Sequence, residues 1–180
     1  MIRSLFKRFH RDEGGNVSIE MCIWLPLIIT TLGATFSLFE AFRQQSLNVK
    51  AAYTISDALS RQTDPIDDAY LDGMHDVLQF LTDSDGHYGL RVTVVRYDAT
   101  SNAYDVAWSE ARGDWSGLNS EMLVDVVGNL PQLLDNERVI LVETETEHNP
   151  TIDVPYLSPE TFYNFVFTRP RFAPQLLWQG

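Results

Sequence analysis

The chain has 180 residues, with 25 Asp and Glu against 13 Lys and Arg and a formal net charge of -12. That length leaves room for one domain of ordinary size and a membrane segment, and little more. From residue 44 onward eight basic side chains face twenty-one acidic ones, and no Lys/Arg cluster is left there to displace counterions from a nucleic-acid backbone, so no nucleic-acid partner is expected.

Residues 1–15 carry Arg3, Lys7, Arg8 and Arg11 with His10, then Asp12, Glu13 and the pair Gly14-Gly15, and read as a basic cytoplasmic leader. The run Met21 to Phe39, MCIWLPLIITTLGATFSLF, is nineteen residues without a charge. As a helix it is about 28 Å long, enough to cross a bilayer core. The excess of Lys and Arg before it, against Glu40 and an acidic chain after it, orients the N-terminus to the cytoplasm and the C-terminal domain to the outside. The expected organisation is therefore a leader (1–15), a spanning helix (16–40) in contact with membrane lipid and an extracytoplasmic domain (41–180). A cleaved secretory signal fits less well, because its apolar core is shorter and Leu32-Gly33-Ala34 is a poor small-x-small site. The single cysteine, Cys22, lies inside the apolar run, where it reads as a small hydrophobe and rules out an intramolecular disulfide.

Glu20 does not suit an ordinary anchor. A carboxylate at the centre of a spanning helix costs about 2.5 to 3.5 kcal/mol, less near the interface, and its bland reading is a headgroup-level charge close to the positive helix N-terminus. Its spacing suggests more: a cut after Gly15 would make Asn16 the new N-terminus and Glu20 the fifth residue, directly before the apolar run. Pro26 within that run lacks an amide hydrogen and is expected to kink or loosen the helix.

Phe6 to Gly15 (FKRFHRDEGG), Asn16 to Glu20 (NVSIE) and Trp24-Leu25-Pro26-Leu27 resemble the prepilin signal of type IV pilins. They resemble most closely the TadE-like family of the tight-adherence (Flp) pilus system. The resemblance covers about the first forty residues, and Thr168-Arg169-Pro170-Arg171-Phe172 is similar to the family's C-terminal end. Met21 departs from the Phe or Tyr usual at that position. What the resemblance implies is a minor pilin or pseudopilin of the bacterial inner membrane, periplasmic beyond its anchor, that primes, caps or couples a filament and is not an enzyme. It also implies processing by a prepilin-type peptidase at the Gly14, Gly15, Asn16 and Glu20 signal, with Glu20 and Pro26 serving assembly. The implied partners are other pilin-like subunits and inner-membrane platform proteins. In a filament the freed amino group of one subunit can be met by Glu20 of a neighbour, so that neither charge is orphaned.

The spanning helix is expected to continue through Ala41 to Arg61, where Leu47, Ala51, Ile55 and Ala58, with Ala52 and Leu59 beside them, make one face at helical spacing. Asp64-Pro65-Ile66-Asp67 carries the signals of a helix start, an N-cap acid followed by Pro at the first helical position. Ile66, Tyr70, Met74, Val77 and Leu81 form its apolar stripe. Asp83, Asp85 and Gly86 in TDSDGHYG are similar to the opening of a calcium loop, but no Glu follows at EF-hand spacing. Leu90 to Tyr97 and Tyr104 to Glu110 alternate and read as a hairpin, with Leu90, Val92 and Val94 on one face of the first strand and Tyr104, Val106 and Trp108 on one face of the second. Ser120 to Leu130 reads as a third amphipathic helix. Val139 to Glu147 and Thr161 to Arg169 supply two further strands, separated by a loop with Pro150, Pro155 and Pro159. The fold class is α+β, a long N-terminal helix packed on a mainly antiparallel sheet of about four strands, compatible with a pilin-like fold.

Chemistry-bearing motifs are sparse. His10, His75, His87 and His148 form no H-x-x-x-H or H-E-x-x-H pair and lie in polar contexts typical of exposed His, so no metal site is expected. The sequence contains no G-x-S-x-G, Walker A or G-x-G-x-x-G motif, and no catalytic residue or cofactor is assigned. Glu143, Glu145 and Glu147 alternate along a strand, about 7 Å apart on one face. They read as a solvated face that discourages edge pairing, with a weak cation site or a basic partner as the functional alternative. A single-pass, membrane-anchored periplasmic enzyme or sensor with a dispersed site is the competing function.

Overall fold

The computed structural model describes residues 16–83, 86–128, 130–148 and 160–180. Helix α1 runs unbroken from Asn16 to Ser60, 45 residues with Pro26 inside it. Its length of about 68 Å at 1.5 Å per residue is more than twice what a bilayer core requires. No pattern of apolar and polar faces marks residues 21–39, and Ile23, Trp24, Leu27, Ile28 and Leu32 all stand exposed. Further along, the small residues of the helix let it sit close on the sheet. Ala51, Ala52, Ile55 and Leu59 are fully buried as the spacing predicts, with Leu47 and Ala58 half-buried at the flanks.

Helix α2 spans Asp68–Thr82 and starts later than the Asp64-Pro65 signal predicts. Ile66 is extended there instead: its amide donates to the Leu177 carbonyl at 2.9 Å and its carbonyl accepts from the Gln179 amide at 2.8 Å. A residue pinned in that bridge cannot open a helix, so Asp67 becomes the cap, accepting from the Tyr70 amide at 2.9 Å. The fully buried stripe is Leu71, Leu78 and Thr82. Tyr70, Met74, Val77 and Leu81 line its half-buried margin, so the helix is rotated from its expected setting.

The strands β1 (Tyr88–Asp98), β2 (Ala103–Arg112), β3 (Arg138–His148) and β4 (Glu160–Thr168) form one antiparallel sheet in the order β2-β1-β3-β4. Leu90, Val92 and Val94 of β1 and Ile140 and Val142 of β3 meet α1 and α2 in the main core. The β1–β2 ladder pairs Val94 with Trp108 but Val95 with Val106, leaving Ala107 as the extra residue of a bulge. The bulge corrects the expected face of β2. Trp108 joins the helix side, while Tyr104 and Val106 pack on the opposite side with Val95, Val139, Leu118, Leu123 and Leu133.

The expected helix over Ser120 to Leu130 is reduced to one turn, α3 (Val124–Val127). Asn119 has the contacts of a helix cap, its side chain accepting from the Met122 amide and its carbonyl from the Leu123 amide, but only Val124–Val127 continue as helix and Pro131 bars further extension. After β4 the chain straps across the end of α1 and closes the core. The Arg171 amide donates to the Ser60 carbonyl at 2.8 Å, Leu176 is 2 % exposed, and Trp108 Nε1 donates to the Leu176 carbonyl at 2.9 Å. The proline loop and Asp85 lie outside the described residues.

Candidate functional site

One helix near the N-terminus is long and apolar enough to cross a membrane. Of the residues expected to serve processing and assembly, Gly14 and Gly15 lie outside the described residues, and Asn16 is the first residue of α1. Glu20 is the fifth, and exposed. Pro26 follows about 9 Å further along the axis. The helix alone brings Asn16, Glu20 and Pro26 into line, and among the described residues no packing from the α+β domain reaches Glu20 or Pro26. The threonines of the apolar run are suited to lipid, because Thr30, Thr31 and Thr35 donate their hydroxyls to the carbonyls of Pro26, Leu27 and Thr31 at 2.7 to 2.8 Å.

Two polar residues that the sequence reading passed over fix this helix to the C-terminal α+β domain. Gln44 Nε2 donates to the Thr82 carbonyl at the end of α2, 2.7 Å away. One turn later Asn48, fully buried, donates to Thr146 Oγ1 and the Phe162 carbonyl at 2.8 Å and accepts from Thr144 Oγ1 at 3.1 Å. Asn48 thus ties α1 to β3 and β4 where the sheet begins. The three bonds of Asn48 engage both amide hydrogens and the carbonyl oxygen of its side chain, so this buried link between helix and sheet is fully hydrogen-bonded. Its signal was present in the sequence: Asn48, Ala52, Ile55 and Leu59 continue one stripe at helical spacing.

The glutamate stripe of β3 corrects the solvated-face expectation. Glu143 is 1 % exposed, and Arg91 of β1 reaches it with two hydrogen bonds of 2.6 Å, Nε to Oε2 and Nη2 to Oε1. Tyr163 of β4 donates a third bond to Glu143 Oε1, also at 2.6 Å. The indole of Trp115 lies over the guanidinium, 5.0 Å from ring centroid to Cζ. It is seated above Gly89, where a Cβ would come within 3.3 Å of the ring. Burial, and then the hydrogen bond to the Glu143 carboxylate, push the Tyr163 phenol well above its ordinary value. Its oxygens engaged by Arg91 and Tyr163, Glu143 serves as a lock across three strands. Glu147 Oε2 accepts from the His87 amide at 3.2 Å, and Glu145 is half-buried.

His75 and His87 are half-buried and not exposed. His75 stacks on Tyr88 with ring centroids 4.4 Å apart, and His87 Nδ1 lies 3.2 Å from an Asp114 carboxylate oxygen. Asp83 is the left-handed cap of α2, with its amide on the Gln79 carbonyl. Among the described residues no group of three or more His, Cys, Asp or Glu could hold a metal ion. Comparison with known proteins gives no matching family model, curated protein or solved structure.

Proposed function

We propose that the chain is a membrane-anchored, pilin-like assembly component of a tight-adherence type IV pilus, resembling the TadE-like family. The observation that carries this reading is the exposed Glu20 at the fifth position of α1, directly before nineteen residues without a charge. For an anchor that only has to hold a domain at a membrane, a carboxylate there does no more than mark the headgroup level beside the helix N-terminus. A subunit whose leader is removed after Gly15 has a use for it, as the partner of a freed α-amino group on a neighbouring subunit. In this reading the acidic domain is periplasmic and the basic leader cytoplasmic, and Pro26 is the point at which the helix can repack between membrane and filament. The Gln44 and Asn48 contacts support the reading, because a subunit pulled from a bilayer needs its anchor joined firmly to its outer domain.

Glu20→Gln tests the role of the charge. The substitution keeps size and hydrogen-bonding capacity and lowers the desolvation cost, so membrane insertion stays at wild-type levels or rises. Surface piliation and adherence fall at matched membrane levels, because leaving the partner charge alone in an apolar layer costs about 3 to 5 kcal/mol when burial is complete. Wild-type piliation by Glu20→Gln would reduce Glu20 to a marker of the membrane edge.

A further inference from the structure

The end of the sheet remote from Asn48 carries a cleft that the anchoring function does not use. Asn48 touches Thr146, which pairs with Tyr88 at the start of β1, whereas the cleft lies at the far end of that strand, about 30 Å away at the strand rise per residue. Its volume is about 620 Å³, within the range of small-molecule sites. Tyr97, Asn102, Tyr104, Ser120 and Gln132 surround it. Leu123 and Leu133, both buried, form an apolar floor. No described lining residue carries a charge at neutral pH, although the chain as a whole has a net charge of -12.

The hydrogen-bond accounting defines the ligand. Tyr97 donates its hydroxyl to Asn102 Oδ1 at 2.7 Å, Tyr104 donates to the Pro131 carbonyl at 3.1 Å, and Ser120 donates to Asp105 Oδ1 at 3.1 Å. With their protons committed, these three oxygens can only accept further bonds, while the side-chain amides of Asn102 and Gln132 can donate. Beside them the Tyr97 and Tyr104 rings meet at 53° with centroids 5.1 Å apart, a corner with apolar surface for C–H groups. A ligand that fits must be neutral, rich in hydroxyls that both donate and accept, and apolar on one side.

We propose that this cleft binds a neutral saccharide. An anionic sugar has no cation to meet among these residues and is repelled by the acidic domain. An ammonium ligand would leave the amide donors unused. The proposal stands on the cleft alone, whether or not the leader is processed. The neutral sugar can come from an N-acetylated wall polymer or from a plain surface polysaccharide, and both present the same ring chemistry.

The test is titration of the full chain in lipid nanodiscs with N,N′-diacetylchitobiose, cellobiose and maltose, read by calorimetry and saturation-transfer NMR. Choline and sialyllactose serve as charged comparisons. One-site saturation is expected with at least one neutral disaccharide, and preference for chitobiose over the other two separates the N-acetylated source from the plain one. Gln132→Ala removes an exposed amide, and Asn102→Gly keeps the left-handed backbone of that residue, φ 50°, while removing its side chain. Each variant weakens binding by about tenfold, the loss expected for one hydrogen-bonding group. The proposal is overturned if none of the three disaccharides saturates, if both variants leave saturation unchanged, or if choline or sialyllactose binds more tightly than every neutral sugar.

Discussion

Arg91 holds Glu143 in a two-bond grip across adjacent strands, with both hydrogen bonds at 2.6 Å and only 1 % of the Glu143 side chain exposed. The pair belongs to the face of the sheet turned away from α1, and Trp115 and Tyr163 enclose it. Its energetics follow from burial. Removing one partner strands a charge, whereas replacing both with apolar side chains of similar volume is often neutral.

Arg91→Met is therefore expected to destabilise the chain by about 3 to 5 kcal/mol, and Arg91→Met combined with Glu143→Leu to recover most of that loss. Urea unfolding of the full chain in detergent, run as a double-mutant cycle, measures both. A double variant no more stable than Arg91→Met would show that the pair does more than compensate its own burial.

Tyr163 makes stability depend on alkaline pH. Its folded pKa lies above the ordinary 10.0 because burial and the neighbouring Glu143 carboxylate disfavour the phenolate. A group raised in this way contributes stability that is fully present below pH 10.0 and is lost as pH rises through the folded value. The Tyr163 ring carbon signal should thus show no titration at pH 10.0, the ordinary value for a phenol. Tyr163→Phe should flatten the loss of stability above that pH, and half-ionisation of Tyr163 at pH 10.0 would contradict the hydrogen bond to Glu143.

Asn48→Leu removes the polar link between α1 and the strands β3 and β4 and leaves Thr144, Thr146 and the Phe162 carbonyl without it. The expected cost is about 1 to 3 kcal/mol, the penalty for unsatisfied buried groups. Hydrogen exchange of residues 44–52 should rise in the variant while the β1–β2 ladder stays protected. Equal exchange in both chains would mean that the helix is held by Ala51, Ile55 and Leu59 alone.

Where periodicity was strong, the fold was legible in the sequence. The stripe through Ala51, Ala52, Ile55 and Leu59 and the alternation of Leu90, Val92 and Val94 each follow from burying one face of a regular element. The errors arose where a distant part of the chain decided the local outcome. Pro65 signals a helix start, but Leu177 and Gln179 claim the Ile66 backbone. Alternation continues through Ala107, so the bulge that sends Trp108 to the other face leaves no mark in the pattern. Glu143 looked solvated because its cation sits 52 positions away in sequence, brought opposite only by the register of β1 on β3. The candidate anchor was readable throughout, since a charge-free run beside one carboxylate needs no tertiary contact to be seen. The saccharide cleft was not readable, since it depends on residues from two strands and a connection meeting at one end of the sheet.

The most direct measurement for the pilin-like reading is the N-terminal residue of the full-length chain recovered from membranes of cells with and without an active prepilin-type peptidase. Processing after Gly15 predicts Asn16 as the N-terminus in the first case and an intact leader in the second. An N-terminus at Met1 in both would contradict processing, and with it the pairing proposed for Glu20, and would leave α1 as a plain anchor.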